Sequence, residues 1–334
     1  MCYFIALIIC LLPSFLFAEE WEDQKQFNQF ASGATIRVLS STDTAIFAPV
    51  IQDFVLKNPE VAVEYFVTGT TAIEQLFRSN PKAFDLVISS AMDLQLKIVN
   101  DGLALQLENV RHPAWAQWRQ SLFAFTSEPA AIVINRDAFA GYPVPQTRQD
   151  LIQAMRARPS VFRGRVGTYD IRKSGLGYLF ATQDARASET YWRLMEVMGS
   201  LDVRLYCCSG EMIDDLADGT IAVAYNVLGS YASARHENKD VLDIILPSDF
   251  PTTMMRTAMV SKLTNQPELA SDFIQHLINL QSHSNKDILM LSPLNTQSDY
   301  GDRTTIALEP ALMTFLDTLK RRKFLAEWEN AVIQ

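Results

Sequence analysis

Three short stretches, Ser40-Ser41-Thr42-Asp43, Thr68-Gly69-Thr70-Thr71 and Ser89-Ser90-Ala91, each stand between an apolar run and a helical pattern. Hydroxyl and carboxyl side chains in that position can cap the orphan N–H groups of a helix start. They can equally present those N–H groups, with the positive end of the helix dipole, to a small oxygen-rich ligand. Thr71 with Glu74 fits a capping box, so capping accounts for any one of the three taken alone. Repeated at successive strand ends, they point to a shared site. In the polar turn IRKSGLG (171–177), Arg172 stands beside Ser174 and Gly175, where a guanidinium can hold a carboxylate or phosphate in bidentate fashion next to a helix start. Tyr225 and Asn226 close the run TIAVAYN (220–226). Phenol and amide there can bond sugar hydroxyls, carboxylates or, as tyrosinate, ferric iron; packing of Tyr225 is the alternative.

Signatures of other chemistry are missing. The chain has no GxxxxGK[ST], HExxH or GxSxG, and Gly175-Leu-Gly177 lacks the third glycine of a dinucleotide fingerprint. His112, His236, His276 and His283 have no metal-ligand spacing. Most of the basic cluster Arg148, Arg156, Arg158, Arg163, Arg165, Arg172 and Lys173 reads as solvated helix surface, with Arg172 set apart by its turn.

The elements that must position these residues follow from the hydrophobic pattern. Runs at 36–39, 61–67 and 84–88 alternate with helical patterns, and 46–55 keeps Ile46, Phe47, Val50, Ile51, Phe54 and Val55 on one face. Strand and helix in alternation predict a parallel sheet with right-handed crossovers, whose carboxyl ends share one crevice. Residues 121–135 read as a long strand broken near Ser127-Glu128-Pro129, as where a chain leaves one lobe and enters another. Strands are expected in 204–210 and 220–226, a crossing back near 243–253, a first-lobe strand at 255–261, and helices after Gln266 and from about Pro310 to Ile333.

Composition bounds the classes. The 334 residues are 48 % hydrophobic and 20 % charged, with a net charge of −9. Length and apolar content allow one large domain or two lobes with real cores, and the negative balance argues against nucleic acid, which needs a positive field. The uncharged apolar stretch 1–18, followed by AEEWED, reads as a secretory signal cleaved near Ala18, with a retained anchor as the alternative. Cleavage would remove Cys2 and Cys10 and leave Cys207 and Cys208. Adjacent Cα atoms lie about 3.8 Å apart, below the usual disulfide range of about 4.4–6.8 Å, so both a strained vicinal disulfide and two free thiols stay open.

IRVLSSTDTAIFAPVIQDF, DLVISSAMDLQLKIVNDG, VGTYDIRKSGLGY and AYNVLGSYA together resemble the periplasmic (extracellular) solute-binding proteins of ABC importers, of the type II fold shared with ferric-ion-binding proteins. The resemblance spans nearly all of 33–330. It implies two α/β lobes, 33–126 with 252–334 and 127–251, joined by two hinge strands that close over a ligand cleft. Carried onto this chain, the ligand loops would hold Ser41, Thr42 and Asp43; Thr70 and Thr71; Ser89, Ser90 and Ala91; Arg172, Ser174 and Gly175; and Tyr225 with Asn226. Cys207 and Cys208, at a further strand-to-helix turn, would line the same cleft. The ferric-binding branch carries two consecutive tyrosines where this chain has Tyr225-Asn226 and a separate Tyr231, so the branch that binds phosphorylated or carboxylated metabolites fits better. The implied protein is a monomer of the periplasm, neither an enzyme nor a cofactor carrier, that captures a small anionic metabolite for an inner-membrane permease. Ferric iron or a ferric complex as ligand, and a sensor histidine kinase as partner, are the alternatives.

Overall fold

The computed structural model describes residues 21–108, 110–234, 240–282, 288, 290–294 and 305–333. The expected signal at 1–18, with Cys2 and Cys10, lies outside these, as do His236 and His283. Among the described residues no helix is long and apolar enough to cross a membrane.

The chain opens with β1 (Asp23–Phe27), then three strand–helix units: β2 (Thr35–Ser40) with α1 (Thr44–Lys57), β3 (Ala62–Val67) with α2 (Thr70–Ser79), and β4 (Leu86–Ser89) with α3 (Met92–Asn100). β5 (Gln117–Trp118) and β6 (Leu122–Ala124) complete this half before the chain crosses into β7 (Glu128–Asn135). The second half runs through α4 (Arg148–Ala157), α5 (Pro159–Phe162), β8 (Val166–Tyr169), α6 (Gly175–Ala187), α7 (Thr190–Ser200), β9 (Arg204–Tyr206), α8 (Ser209–Ala217), β10 (Val223–Leu228), α9 (Gly229–Ala234) and β11 (Leu242–Ile245). The return crossing carries β12 (Thr253–Met254) and β13 (Thr257–Val260), followed by α10 (Pro267–Ser282), a 3-10 stretch at Pro310–Leu316 and α11 (Thr318–Val332).

Two sheets result. One has the order β1-β3-β2-β4-β13-β6-β5, with β3, β2 and β4 parallel; the other has the order β11-β7-β10-β8-β9, with β10, β8 and β9 parallel, and β12 paired to β7. All four residues of β4 and of β8 are buried, which is why such strands read as unbroken apolar runs with no alternation. Each half is thus an α/β lobe, and the chain crosses between the two sheets twice.

The crossings are tied to each other. Phe125 N–H donates to the Arg256 carbonyl at 2.9 Å, and Ala130 N–H to the Thr252 carbonyl at 2.8 Å. Beneath them Arg256 and Glu128 form an ion pair with both side chains 0 % exposed. Arg256 Nε meets Glu128 Oε1 at 3.0 Å and Nη2 meets Oε2 at 3.3 Å. Thr126 Oγ1 (2.7 Å) and Ser230 Oγ (2.6 Å) donate to the same carboxylate, while Arg256 Nη1 donates to Thr42 Oγ1 at 2.6 Å. The pair therefore reaches the first lobe through Thr42 and the second through Ser230. Two buried charges survive only when such bonds replace their water.

The tail departs from the expected division, which assigned 252–334 wholly to the first lobe. Phe324, Trp328 and Val332 of α11 belong to the second lobe's core with Tyr191, Leu194 and Met198. Gly199 makes this possible, since a Cβ there would strike the backbone carbonyls of Ala331 and Val332. The apolar periodicity of 310–333 marks a buried face but not which lobe buries it.

Glu128→Ala would leave the Arg256 guanidinium charged, buried and unpaired, at a cost of about 3–5 kcal/mol. Thermal unfolding should fall by roughly 10 °C. The double change Glu128→Leu/Arg256→Met should lose less than Glu128→Ala alone, because it removes both charges together.

Candidate functional site

Between the lobes, where the carboxyl ends of β2, β3, β8 and β9 approach one another, lies a cavity of about 40 Å³. Its wall includes Glu22, Ser41, Asp43, Thr68, Thr70 and Ser90 from the first lobe, and Tyr169, Ser174, Cys207, Cys208, Ser209 and Tyr231 from the second. Larger hollows occur, one of about 460 Å³ beside Phe54 and His276 and one of about 570 Å³ beside Trp192 and Asn330. Both are open grooves away from the strand ends, so the small cavity between the lobes is the candidate site. It gathers the starts of α1, α2, α3, α6 and α8 at one place, which the crossover topology enforces.

Many of the backbone amides around it already have partners. Thr42 N–H donates to Ser40 Oγ at 3.0 Å, Ser90 N–H to Ser41 Oγ at 3.1 Å, Ala91 N–H to Ser89 Oγ at 3.1 Å, and Gly177 N–H to Ser174 Oγ at 3.1 Å. Thr70 behaves otherwise. α2 has Gly69 at its N-cap and no side-chain cap bond, and Thr71 Oγ1 is buried without a partner among the described residues, so the capping box expected of Thr71 and Glu74 does not form. Instead Thr70 Oγ1 crosses between the lobes and accepts from Gly175 N–H at 2.8 Å and Leu176 N–H at 3.2 Å. A hydroxyl of one lobe thus caps a helix of the other. Gly175 allows the approach: a Cβ there would sit 2.8 Å from Leu94 Cδ1, 3.1 Å from Thr70 Oγ1 and 3.2 Å from Ala91 Cβ.

A second bridge runs between Asp43 and Tyr231. The Asp43 amide donates to the phenol oxygen at 3.4 Å, and the phenol donates to Asp43 Oδ1 at 3.3 Å. Tyr169 and Ser209 share a hydrogen bond of 2.5 Å on the opposite wall. Burial holds the Tyr169 and Tyr231 phenols well above their usual range. Glu22 is raised too, first by burial and then by the neighbouring charges of Asp43 and Glu211. No basic side chain stands in the wall among the described residues.

Apart from Thr71, which lies in the first turn of α2 and outside the wall, the residues expected to bind ligand divide into three groups. Ser41, Asp43, Thr70, Ser90, Ser174, Cys207 and Cys208 meet in the wall. Thr42, Ser89, Ala91 and Gly175 lie just behind it or at the seam: Thr42 holds Arg256, Ser89 holds the Ala91 amide, and Ala91 packs against Gly175. Cys207 and Cys208 form a disulfide, which resolves the two states left open. The third group lies elsewhere. Arg172 turns back on its own loop, its Nε and Nη2 each 2.8 Å from an Asp170 oxygen, with Nη1 3.4 Å from Glu329 and the guanidinium over the Trp328 ring. A carboxylate two residues away supplied the partner that a ligand was expected to be. Tyr225 is 1 % exposed and sits inside the second lobe, donating to Asp184 Oδ2 and accepting from Arg148 Nε, both at 2.7 Å. Asn226 donates to the same Asp184 oxygen at 2.7 Å, its backbone at φ +62° where β10 bulges. None of these three lines the cavity.

Pattern reading missed Glu22, Tyr169, Ser209 and Tyr231, and it left Thr68 out of the ligand set although it marked the stretch that holds it. Tyr169 ends a strand and Ser209 follows the cysteine pair, so the strand-end rule reaches both. Glu22 precedes the first strand and Tyr231 sits within a helix, where no local signal distinguishes them.

No family model matches the sequence, and no curated protein matches it. Solved structures do. The substrate-binding protein of an ABC transporter from Agrobacterium tumefaciens is 29 % identical, with a TM-score of 0.85 over 93 % of this chain and 98 % of that one. The periplasmic binding protein AfuA from Actinobacillus pleuropneumoniae, solved with fructose-6-phosphate, is 14 % identical with a TM-score of 0.68 over 90 % and 98 % of the two chains. Iron-bound HitA from Pseudomonas aeruginosa is 13 % identical with a TM-score of 0.65 over 89 % and 99 %. The fold is that of an ABC-transporter substrate-binding protein. Substrate-binding proteins of this kind serve transport and are not enzymes, and the described arrangement is the closed one, with Thr70 and Tyr231 bridging the lobes.

The seam between the lobes and a buried acid of the first lobe each lead to an expected outcome. Gly175→Val should push Leu94 and Ala91 away from α6 and keep the lobes apart, seen as a larger radius of gyration by solution scattering with little change in circular dichroism. Asp93, in the first turn of α3, is 2 % exposed, its Oδ1 has no hydrogen-bond partner among the described residues, and burial lifts its pKa from 3.8 to about 7. The unfolded chain ionises this group first, so stability falls as pH rises from about 4 to 7 and levels off above that. The loss is on the order of 4 kcal/mol. Asp93→Asn should therefore raise the melting temperature at pH 8 and leave it nearly unchanged at pH 4.

Proposed function

We propose that this protein captures a small hydroxylated anion, an organophosphate or a carboxylate, in the cavity between its lobes and delivers it from the periplasm to an inner-membrane permease. The observation that carries the reading is the convergence of five helix starts, from both lobes, on one hydroxyl-lined wall. Each helix contributes roughly half a positive charge at its N-terminus, and serine, threonine and tyrosine hydroxyls can turn their protons toward an incoming oxyanion. Glu22 and Asp43 have a compatible role as acceptors for hydroxyl groups on the solute. A bare oxyanion without hydroxyls would meet these carboxylates as like charges. AfuA, with fructose-6-phosphate bound, is a neighbour whose ligand joins both chemistries.

Ligand entry opens the seam, and closure re-forms it around the solute. Only contacts made in the closed form bias the lobe equilibrium, so a solute touching both Ser90 and Ser209 would favour it. The ferric alternative has less support: Tyr225 is buried away from the cavity, and Tyr169 and Tyr231 are hydrogen-bonded phenols that burial keeps protonated. The chain is taken to act as a monomer.

Thermal-shift measurements against sugar phosphates, hydroxycarboxylates, neutral polyols and cationic metabolites test the reading. A hydroxylated anion at a hundred times its Kd should stabilise the protein by about 2.7 kcal/mol. Ser90→Ala and Ser209→Ala should each weaken that effect. Stabilisation by a neutral polyol or a cation, with none by any oxyanion, would overturn it.

A further inference from the structure

The mouth of the cavity holds a donor set that includes Glu22, which also faces the solute, and the two adjacent cysteines, to which solute capture gives no part. Glu22 of the first lobe and Cys207 and Cys208 of the second each offer one ligand atom, and these three atoms lie within 4.8 Å of one another. Cys208 Sγ is 3.9 Å from Glu22 Oε1. The Glu22 backbone is tied to the first sheet, its amide donating to the Val67 carbonyl at 3.0 Å. Cys208 is the N-cap of α8, where a helix start favours the thiolate. In the disulfide the sulfurs are bonded to each other and cannot serve as thiolate ligands.

We propose that reduction of the Cys207–Cys208 disulfide creates a two-sulfur, one-oxygen site for a thiophilic divalent cation such as zinc, and that the cation, bound by residues of both lobes, staples the protein closed. The reductant is a small dithiol. Its two sulfurs give up two electrons and two protons and join as a cyclic disulfide, while the Cys207–Cys208 bond breaks and each sulfur takes one electron and one proton. The cation then displaces both thiol protons. Tetrahedral zinc places its ligands at about 2.3 Å for sulfur and about 2.0 Å for oxygen, so the donors need to stand roughly 3.5 Å apart. Glu22 is already near that separation from Cys208. Oxidised, the site is closed to metal and the lobes answer to the solute alone; reduced, the cation becomes a second ligand for the same hinge. This inference does not depend on the charge of the solute.

The test uses the whole protein, reduced with dithiothreitol and desalted under nitrogen, then titrated with zinc against a chromophoric chelator. One zinc should bind per chain in the reduced form and none at this site in the disulfide form. Glu22→Gln should weaken binding about tenfold, and Cys207→Ser/Cys208→Ser should abolish it. Zinc should also lower the radius of gyration of the reduced wild type and leave that of Glu22→Gln unchanged. Thermal unfolding without metal checks that each variant is folded. Equal binding by the oxidised protein or the double serine variant would overturn the proposal. So would no binding by the reduced wild type, or one zinc shared by two chains.

Discussion

The buried pair between Arg256 and Glu128 is the constraint on which the two-lobed arrangement rests. Neither side chain touches solvent, and each charge is compensated by the other and by hydroxyls of Thr42, Thr126 and Ser230. Such pairs contribute little net stability over a well-packed apolar replacement. Their value here lies in direction. A guanidinium and a carboxylate accept only certain partners at certain angles, so the two crossings keep one relative placement, and the loop carrying Thr42 is fixed to the strand that leads to the other lobe. An apolar hinge would pack in several ways.

From that fixed hinge, the cavity wall follows by topology. Parallel strands must deliver their carboxyl ends and the next helix starts to the same side, and two lobes facing each other double the number of starts. In the closed arrangement many of the exposed amides are occupied by nearby hydroxyls, and α6 is capped by Thr70 from across the cleft. The hydroxyls therefore act as internal acceptors that a solute must exchange for its own oxygens. This exchange limits the net gain from any single contact, since a hydrogen bond made replaces one broken. Selectivity then comes from how many such exchanges one molecule satisfies together.

Glu22 and Asp43 change what the wall can hold. A cavity made only of helix starts and hydroxyls would accept any compact oxyanion, whereas carboxylates in the same wall repel charge that lies against them. Under the proposed function, a solute that is an anion at one end and a hydroxyl donor at the other would resolve the conflict. The adjacent cysteines lie at the edge of this arrangement, with Cys208 Sγ 3.9 Å from Glu22 Oε1 of the other lobe.

How much of this was legible differs by scale. The sequence by itself determined the strand–helix alternation and the placement of Ser41, Asp43, Thr70, Ser90 and Ser174 at strand-to-helix turns, because these depend on local periodicity and turn chemistry. Only the tertiary structure decided which polar groups face one another. Arg172 and Tyr225 have the right types at the right turns, yet each found a carboxylate of its own, Asp170 and Asp184, that no local pattern reveals as nearer than the cavity. Glu22 and Tyr231 reached the wall, and α11 the second lobe, through contacts between residues far apart in the chain. Local backbone preference is written in neighbouring residues, whereas the pairing of buried polar groups depends on distances that exist only once the lobes have packed.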